Sequence, residues 1–551
     1  MKTLTTTLLF VLSTFLAFGQ LETKIDSLFS EYSNSPGCAV GVYRNGEILF
    51  KKGYGIANLD YDIKISPETV FDIGSVSKQF TAACIVLLEN EGKLSLDDDI
   101  RQYIPEISEF DEGKITIRNL LHHTSGLRDY LGLMYLSGIS YDDTFTEETG
   151  LDILARQNEL NFAPGSEYLY SNSGYLTLAI IIRRVSGESI GTFAQKNIFA
   201  PLEMKNTFIY EDGAKVVKNR AIGYSKDGDE YKREHHFDFV VGGDGGVYTT
   251  VEDFFKWSEN FKDNNLGNIS FLNKMLTQGI LSNGDSIDYA LGLSHGAYKN
   301  HKTIGHGGAW GGFRAHYLQF PEEDLAIAIM SNYGNVNAGQ KAKQIADIIL
   351  QDKFDKKEEE EESEKESFKI EIPKTIFSLT QLVGDYEIRP GLVASFSIKN
   401  DSLNVLQNWN KSTYNIVKIR GNTFQIPGDK AISFTFSNLK DELTQTLTIL
   451  QGARETIAAR KKEVDTSGIS LNDYTGSFFS KELDVAYIFE IENEVLKVRI
   501  EDKQRVMDCT ISEIDQFTME FGLLRFQRTD GQITGFELDS GRVKNLKFEI
   551  K

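Results

Sequence analysis

The chain has 551 residues, 40% of them apolar, a formal net charge of -21 and three cysteines. That length exceeds what a single core supports and implies roughly two to four domains. The acidic balance excludes the basic footprint of a nucleic-acid binder and disfavours anionic polymers as partners, and Cys38, Cys84 and Cys509 make neither a disulfide framework nor a metal-ligand spacing.

Residues 1–20 read as a targeting segment. Lys2 supplies a positive start, Leu8 to Phe18 an apolar run, and Ala17-Phe18-Gly19 small residues for a signal peptidase. Cleavage near Gly19 or Gln20 is expected; an uncleaved anchor is the alternative. No Cys follows the run, which argues against a lipid anchor. No other stretch approaches the length of a membrane span, so a periplasmic or secreted chain is expected after cleavage.

Leu21 to Tyr32 has helical spacing through Leu21, Ile25, Leu28 and Phe29. Cys38 to Tyr43 and Glu47 to Lys52 flank Asn45-Gly46, a hairpin signal. A helix is expected from Ser75 to about Glu91, with Phe80, Cys84, Leu87 and Leu88 as its buried stripe and Gly92 as its stop. Cys84 then reads as a buried free thiol. Ser75 and Lys78, three apart at the mouth of this helix, share a face. A hydroxyl beside an amine at the positive end of a helix dipole is a workable nucleophile and base.

His122 and His123 adjoin each other in Leu120-Leu121-His122-His123-Thr124-Ser125-Gly126. Neighbours in sequence seldom converge on one ion, so a structural role is expected and no metal site. Pro164-Gly165 marks a turn. Tyr170 and Asn172 follow it on a loop before the apolar helical run Leu176 to Val185. Two apart in an extended segment, they point the same way and can face one cleft. Val241-Gly242-Gly243-Asp244-Gly245-Gly246 lacks the spacing of a phosphate-binding fingerprint and reads as a tight backbone passage. His306-Gly307-Gly308-Ala309 lies in a glycine-rich strand, where something approaches the backbone closely. Leu325 to Met330 is a further strand and Ala338 to Leu350 a final helix.

Residues 353–374 are a charged linker or solvated helix extension. Beyond it the sequence turns strand-like and repeats. Leu382-Val383-Gly384-Asp385-Tyr386 recurs as Tyr474-Thr475-Gly476-Ser477-Phe478, and Ser397 to Leu403 recurs as Glu490 to Leu496. Two small antiparallel barrels or sandwiches are implied. The expected domains are a catalytic domain over 21–352 and β units over 375–466 and 467–551.

Ser-x-x-Lys also occurs at Ser437/Lys440, in the alternating run Phe434-Thr435-Phe436-Ser437. On a strand, residues three apart face opposite ways, so that pair cannot cooperate. Taken in order, Ser75-Val76-Ser77-Lys78, Tyr170-Ser171-Asn172 and His306-Gly307-Gly308 resemble the motifs of the penicillin-recognising serine hydrolases related to class C β-lactamases. The resemblance covers roughly residues 24–350 and extends to His123-Thr124-Ser125-Gly126-Leu127 and Gly245-Gly246-Val247-Tyr248. The two trailing β units are similar in layout to D-stereospecific aminopeptidases of the same superfamily.

The resemblance implies an α/β (α+β) β-lactamase/transpeptidase-like domain, an antiparallel sheet flanked by helices, followed by two lipocalin-like antiparallel β-barrel units. It implies Ser75 as nucleophile, Lys78 and Tyr170 as its proton partners, and Asn172 as the holder of a substrate amide. The backbone N–H groups of Ser75 and Ala309 would form the oxyanion hole, and Gly307 and Gly308 would keep side chains out of the substrate's path. Lys78 can act as base if burial lowers its pKa. His306 stands where a lysine would offer a fixed charge to a substrate carboxylate. The family class spans D-aminopeptidase, esterase and carboxypeptidase-like activities on a small molecule or peptide; being mostly neutral near pH 7, His306 should recognise carboxylate-bearing penicillins and peptide C-termini less well and shifts the expectation toward an esterase, amidase or D-aminopeptidase-like activity. A weak β-lactamase is one alternative, a non-catalytic sensor or scaffold another. Trp310 and Arg314 have pocket-lining, packing and surface roles open to them, and neither is assigned to the site. No cofactor is expected, and a homodimer is possible.

Overall fold

The computed structural model describes residues 19–551 apart from positions 235, 237, 264, 268, 366–375, 390–391, 409–411, 428, 452–453, 462–467, 504 and 521. Residues 1–18, the body of the expected signal segment, and 366–374 of the expected linker lie outside the described residues. The described residues form two compact units, the first made of 19–134 and Ile139–Lys365, the second of Tyr135–Gly138 and the described residues beyond Lys365.

The first unit is built on a six-stranded antiparallel sheet. Its order is Ser294–Tyr298, His301–Trp310, Phe313–Phe320, Leu325–Ser331, Cys38–Arg44 and Glu47–Tyr54. The Asn45-Gly46 turn forms as its residues dictate. Both take positive φ, 54° and 79°, and Arg44 pairs with Glu47 directly across it. One face of the sheet is covered by a helix over residues 19–29 and by Ala338–Lys365. Ile25, Phe29, Val40, Val42, Ile327, Ile329, Ile345, Leu350 and Phe354 share that core. The last helix does not stop at Leu350. Phe354, four residues on, continues its apolar stripe into the core and carries the helix into the charged stretch.

The Lys78–Asn90 helix is buried nearly all round. Residues 78–86 and Leu88 are buried, while Leu87, expected on the buried stripe, is half-exposed. The helix has helices as neighbours on more than one side, Asn172–Ser186, Ile190–Ala194 and Ile269–Leu276, so a one-face stripe does not describe it. Its polar side chains are satisfied locally. Gln79 Oε1 accepts from Trp257 Nε1 at 2.8 Å, and Thr81 Oγ1 donates to the Gly243 carbonyl at 2.6 Å.

The second unit holds two closed eight-stranded antiparallel barrels, Gly384–Arg460 and Gly476–Ile550. Closure removes the edges that a sandwich would leave. Tyr386 pairs with Arg460 in the first barrel, and Phe478 with Ile550 in the second. The repeat is carried into backbone detail: Gly384 and Gly476 open equivalent strands with φ of 139° and 140°. The interior of the first barrel is filled by Tyr386, Phe396, Phe424, Phe434 and Phe436. The second buries Phe478, Phe489, Phe517, Phe526 and Phe536. Ser437 and Lys440 sit on the Asp429–Lys440 strand of the first barrel, not on a helix. Among the described residues no helix is long and apolar enough to cross a membrane.

Candidate active site

Ser75 lies on a single 3-10 turn, Gly74–Ser77, that runs straight into the Lys78–Asn90 helix. Gly74 takes φ of 50°, and a Cβ there would stand 2.7 Å from the Ala309 nitrogen. A glycine is therefore required both by the turn and by the neighbouring strand. Gly308 performs the same service from the other side: a Cβ on it would overlap the Ile73 carbonyl oxygen. The two glycines let the His301–Trp310 strand close onto the serine turn. Gly308 thus faces the backbone before Ser75.

Lys78 is fully buried. Its Nζ stands 3.2 Å from Ser75 Oγ, 2.9 Å from Asn172 Oδ1 and 2.6 Å from the backbone carbonyl of Asp244. The amide and peptide oxygens can only accept, so two N–H bonds are committed to them. The remaining position on nitrogen faces the serine oxygen. As an ammonium it donates there; as a neutral amine it presents its lone pair to the Ser75 hydroxyl.

Asn172 begins the Asn172–Ser186 helix, and Tyr170 precedes it on the loop. The Tyr170 ring centroid is 4.9 Å from Lys78 Nζ. That loop is strapped by the His122–Asp129 segment. Leu169 N donates to the His123 carbonyl at 3.0 Å, Ser171 N to His123 Nδ1 at 3.1 Å, and Asn172 N to Asp129 Oδ2 at 2.8 Å. The His123 ring packs 4.1 Å from that of Tyr170. The structural role expected of this histidine is the positioning of the loop that carries Tyr170.

His306 lies beside Tyr170, ring centroids 6.0 Å apart. Its Nδ1 is 2.6 Å from the Gly307 carbonyl and its Nε2 is 3.0 Å from the Tyr289 hydroxyl. The carbonyl can only accept, so Nδ1 carries the proton. In the neutral ring Nε2 then accepts from Tyr289. Burial, and secondarily the charge of Lys78, push the imidazole down to about 3, so it is neutral at physiological pH.

Ser75, Asn172 and Ala309 line one cavity of about 70 Å³ together with Asp72, Asp244, Tyr248, Phe239 and Trp310. Of the roles open to Trp310 in the sequence, the structure shows the pocket wall. Its ring meets Phe239 at 4.8 Å and His236 at 5.4 Å. Arg314 instead caps its own turn, donating to the carbonyls of Gly311 and Phe313. Burial raises Asp72 to about 7 and Asp244 to about 6. Asp72 Oδ1 accepts from Gly74 N at 2.7 Å, and Asp244 Oδ2 accepts from the Tyr130 hydroxyl at 3.1 Å. Tyr170 and His306 border a second, open cleft of about 420 Å³ with Tyr289, His316 and Lys343.

Sequence reasoning missed Asp72, Asp244 and Tyr289. An aspartate inside a glycine run was a signal, since the tight passage it sits in is real: Gly243 and Gly246 take φ of 112° and 81°. Tyr289 carried no local signal. Among the described residues, no group of three or more His, Cys, Asp or Glu is disposed to hold a metal ion, and all three cysteines are buried free thiols.

Fold and site together place the protein among the serine hydrolases. The Beta-lactamase family model matches residues 25–350, and the chain belongs to that family. Penicillin-binding protein 4* of Bacillus subtilis is 27% identical over 374 residues, 65% of this chain and 81% of that protein. The D-aminopeptidase of Brucella ovis is 32% identical over 325 residues, 58% of this chain; the match spans 60% of the relative's own length. The octameric penicillin-binding protein homologue from Pyrococcus abyssi shares the fold, with a TM-score of 0.55 at 21% identity over 88% of this chain and 98% of that one.

Proposed function

We propose that the chain is an exported serine hydrolase that acts through an acyl-enzyme on Ser75, on small amides, esters or peptides, with a D-aminopeptidase-like rather than β-lactam-directed preference. The observation that carries it is the Lys78 nitrogen, fixed by two acceptors with its remaining position on Ser75 Oγ. Neutral Lys78 takes the hydroxyl proton as Oγ bonds to the substrate carbonyl carbon. The carbonyl oxygen becomes an oxyanion between the backbone N–H groups of Ser75 and Ala309. Collapse breaks the bond to the leaving amine or alcohol, which departs with a proton relayed through Tyr170. Water then attacks the ester, its proton returning by the same route, and Ser75 is released.

The preference rests on two supports. His306 is neutral and offers no fixed charge to a carboxylate, and one relative is a D-aminopeptidase. Export rests on Lys2 and the Leu8 to Phe18 run. The test labels wild type and Ser75→Ala with a fluorophosphonate probe, then compares p-nitrophenyl acetate, D-alanine p-nitroanilide and nitrocefin as substrates. Equal labelling of the two proteins would refute the acyl-enzyme. Nitrocefin turnover far above the others would refute the preference. The N-terminal mass of the protein purified from its native host tests export.

A further inference from the structure

We infer that the cavity beside Ser75 is a subsite for the free ammonium of a single small acyl residue, with Asp244 as the group that binds it. This rests on the hydrolase reading above and narrows its substrate class to amides and short peptides cleaved directly after an N-terminal residue with an unblocked amine.

The two sides of the serine differ in size and in charge. Ser75, Asn172 and Ala309 line the cavity of about 70 Å³, so the half of the substrate that becomes the acyl group enters it. The cleft bordered by Tyr170 and His306, where the proposed mechanism releases the leaving group, is open and holds about 420 Å³. Among the described residues, the smaller cavity is lined by two acids, Asp72 and Asp244, and by no lysine or arginine. The larger is lined by Lys343 and by no acid. A substrate with an amine at one end and bulk at the other is thereby oriented, amine toward the cavity. The small cavity leaves no room for a second residue, so the amine sits on the carbon next to the scissile carbonyl.

One Asp244 oxygen is open to a ligand. The residue is 8% exposed, and its own carbonyl holds Lys78 against the nucleophile. Oδ2 accepts from the Tyr130 hydroxyl at 3.1 Å, and no hydrogen bond from another described residue reaches Oδ1. A buried carboxylate oxygen without a donor is costly until one arrives. Asp72 is differently employed: Gly74 N and the Tyr248 hydroxyl both bond its carboxyl, so it supports the turn that carries Ser75. Lys78 is the cation that acts on Asp244, with Asp129 and Asp72 opposing it. With Lys78 neutral, as the base role requires, that cation is gone and a substrate ammonium supplies the missing charge. Trp310, Phe239 and Tyr248 wall the same cavity, and aromatic rings accommodate a cation better than aliphatic side chains do.

The test compares D-alanine p-nitroanilide with D-lactic acid p-nitroanilide, in which a hydroxyl of similar size replaces the ammonium. It uses the full-length protein at pH 7, where Asp244, raised to about 6, is mostly ionised. Wild type is expected to favour the D-alanyl compound by about ten- to a hundredfold in kcat/KM, the worth of a hydrogen bond to a charged group. Asp244→Asn keeps the shape, an acceptor for Tyr130 and the peptide carbonyl that holds Lys78; it should bring the ratio to within about threefold of one. A ratio near one in wild type would overturn the inference. So would a ratio that survives in Asp244→Asn while both rates fall together, the mark of a residue that only positions Lys78. Glycyl-D-alanine p-nitroanilide, whose amine lies one residue too far, should be turned over about tenfold more slowly than D-alanine p-nitroanilide; equal rates would overturn the single-residue limit. Where turnover is slow or the variant fails to fold, wild type alone decides. D-alaninamide should protect Ser75 from a fluorophosphonate at concentrations about tenfold below those of D-lactamide, and equal protection overturns the subsite. Absent labelling of Ser75 in the unprotected protein would instead refute the hydrolase reading.

Discussion

Lys78 Nζ donates to the peptide carbonyl of Asp244 at 2.6 Å, across 166 positions of sequence, while standing 3.2 Å from Ser75 Oγ. The contact is to a main-chain oxygen, so it fixes the amine whatever the charge of the Asp244 side chain. A long, flexible lysine is thereby turned into a positioned group, at the mouth of a helix that cannot move because it is buried on nearly every side.

Removing the amine while keeping its bulk should expose its role. Lys78→Met is expected to lower kcat/KM for p-nitrophenyl acetate by about 10² to 10⁴, the usual worth of a positioned acid or base. Labelling by a fluorophosphonate should slow in parallel. Rates within threefold of wild type would remove Lys78 from the chemistry.

The two neighbouring glycines should differ sharply. A Cβ on Gly308 overlaps the Ile73 carbonyl, whereas one on Gly307 meets only His316 Nδ1, at an ordinary 3.4 Å. Gly308→Ala is expected to destabilise by about 1 to 3 kcal/mol and to lower kcat by pushing the Ala309 strand away from Ser75. Gly307→Ala should do neither to a comparable degree. Urea denaturation and steady-state kinetics of the two variants decide the matter.

Buried carboxyls give the first unit a pH-dependent stability. Asp72 and Asp244 are raised by burial to about 7 and about 6, so the folded protein keeps protons that the unfolded chain releases near pH 4. The folded state is favoured most below that value and loses stability as pH rises through 7. Asp72→Asn retains an acceptor for Gly74 N and cannot ionise. Its stability relative to wild type should improve between pH 5 and pH 8, by on the order of 2 kcal/mol. A relative stability that is flat with pH would show that Asp72 is not held protonated.

Trp310 forms part of the wall beside the serine and leans on Phe239 and His236. Trp310→Ala should enlarge the cavity and shift the ratio of kcat/KM for p-nitrophenyl butyrate over acetate upward by about tenfold, within the range a pocket contact controls. An unchanged ratio would place the acyl group elsewhere.

Much of the candidate site was legible because it is local. Ser75 and Lys78 are one helical turn apart, and Tyr170 and Asn172 are two residues apart. Asn45-Gly46 encodes its turn in its own backbone preferences, and the barrel repeat is visible because equivalent residues do equivalent jobs at Gly384 and Gly476. What escaped is what acts at a distance. Tyr289 reaches His306 through a hydroxyl and His122 through a carbonyl, the latter across 167 positions. Asp244 serves Lys78 through a main-chain atom that every residue possesses, so its side chain announces nothing.

The sequence by itself determined the Ser75–Lys78 pairing, the family resemblance and the existence of two repeated β units. These depend on period, turn chemistry and residue type along a short stretch. Tertiary structure alone decided that the β units close into barrels, because closure requires the last strand to find the first. It also decided the electrical character of the cleft. His306 could be read as mostly neutral from its ordinary titration, but only burial among segments distant in sequence, with the charge of Lys78 second, holds it so, and its one N–H is spent on the Gly307 carbonyl. A side chain's type is written in the chain, whereas its protonation and its spare hydrogen bonds are set by what the fold packs around it.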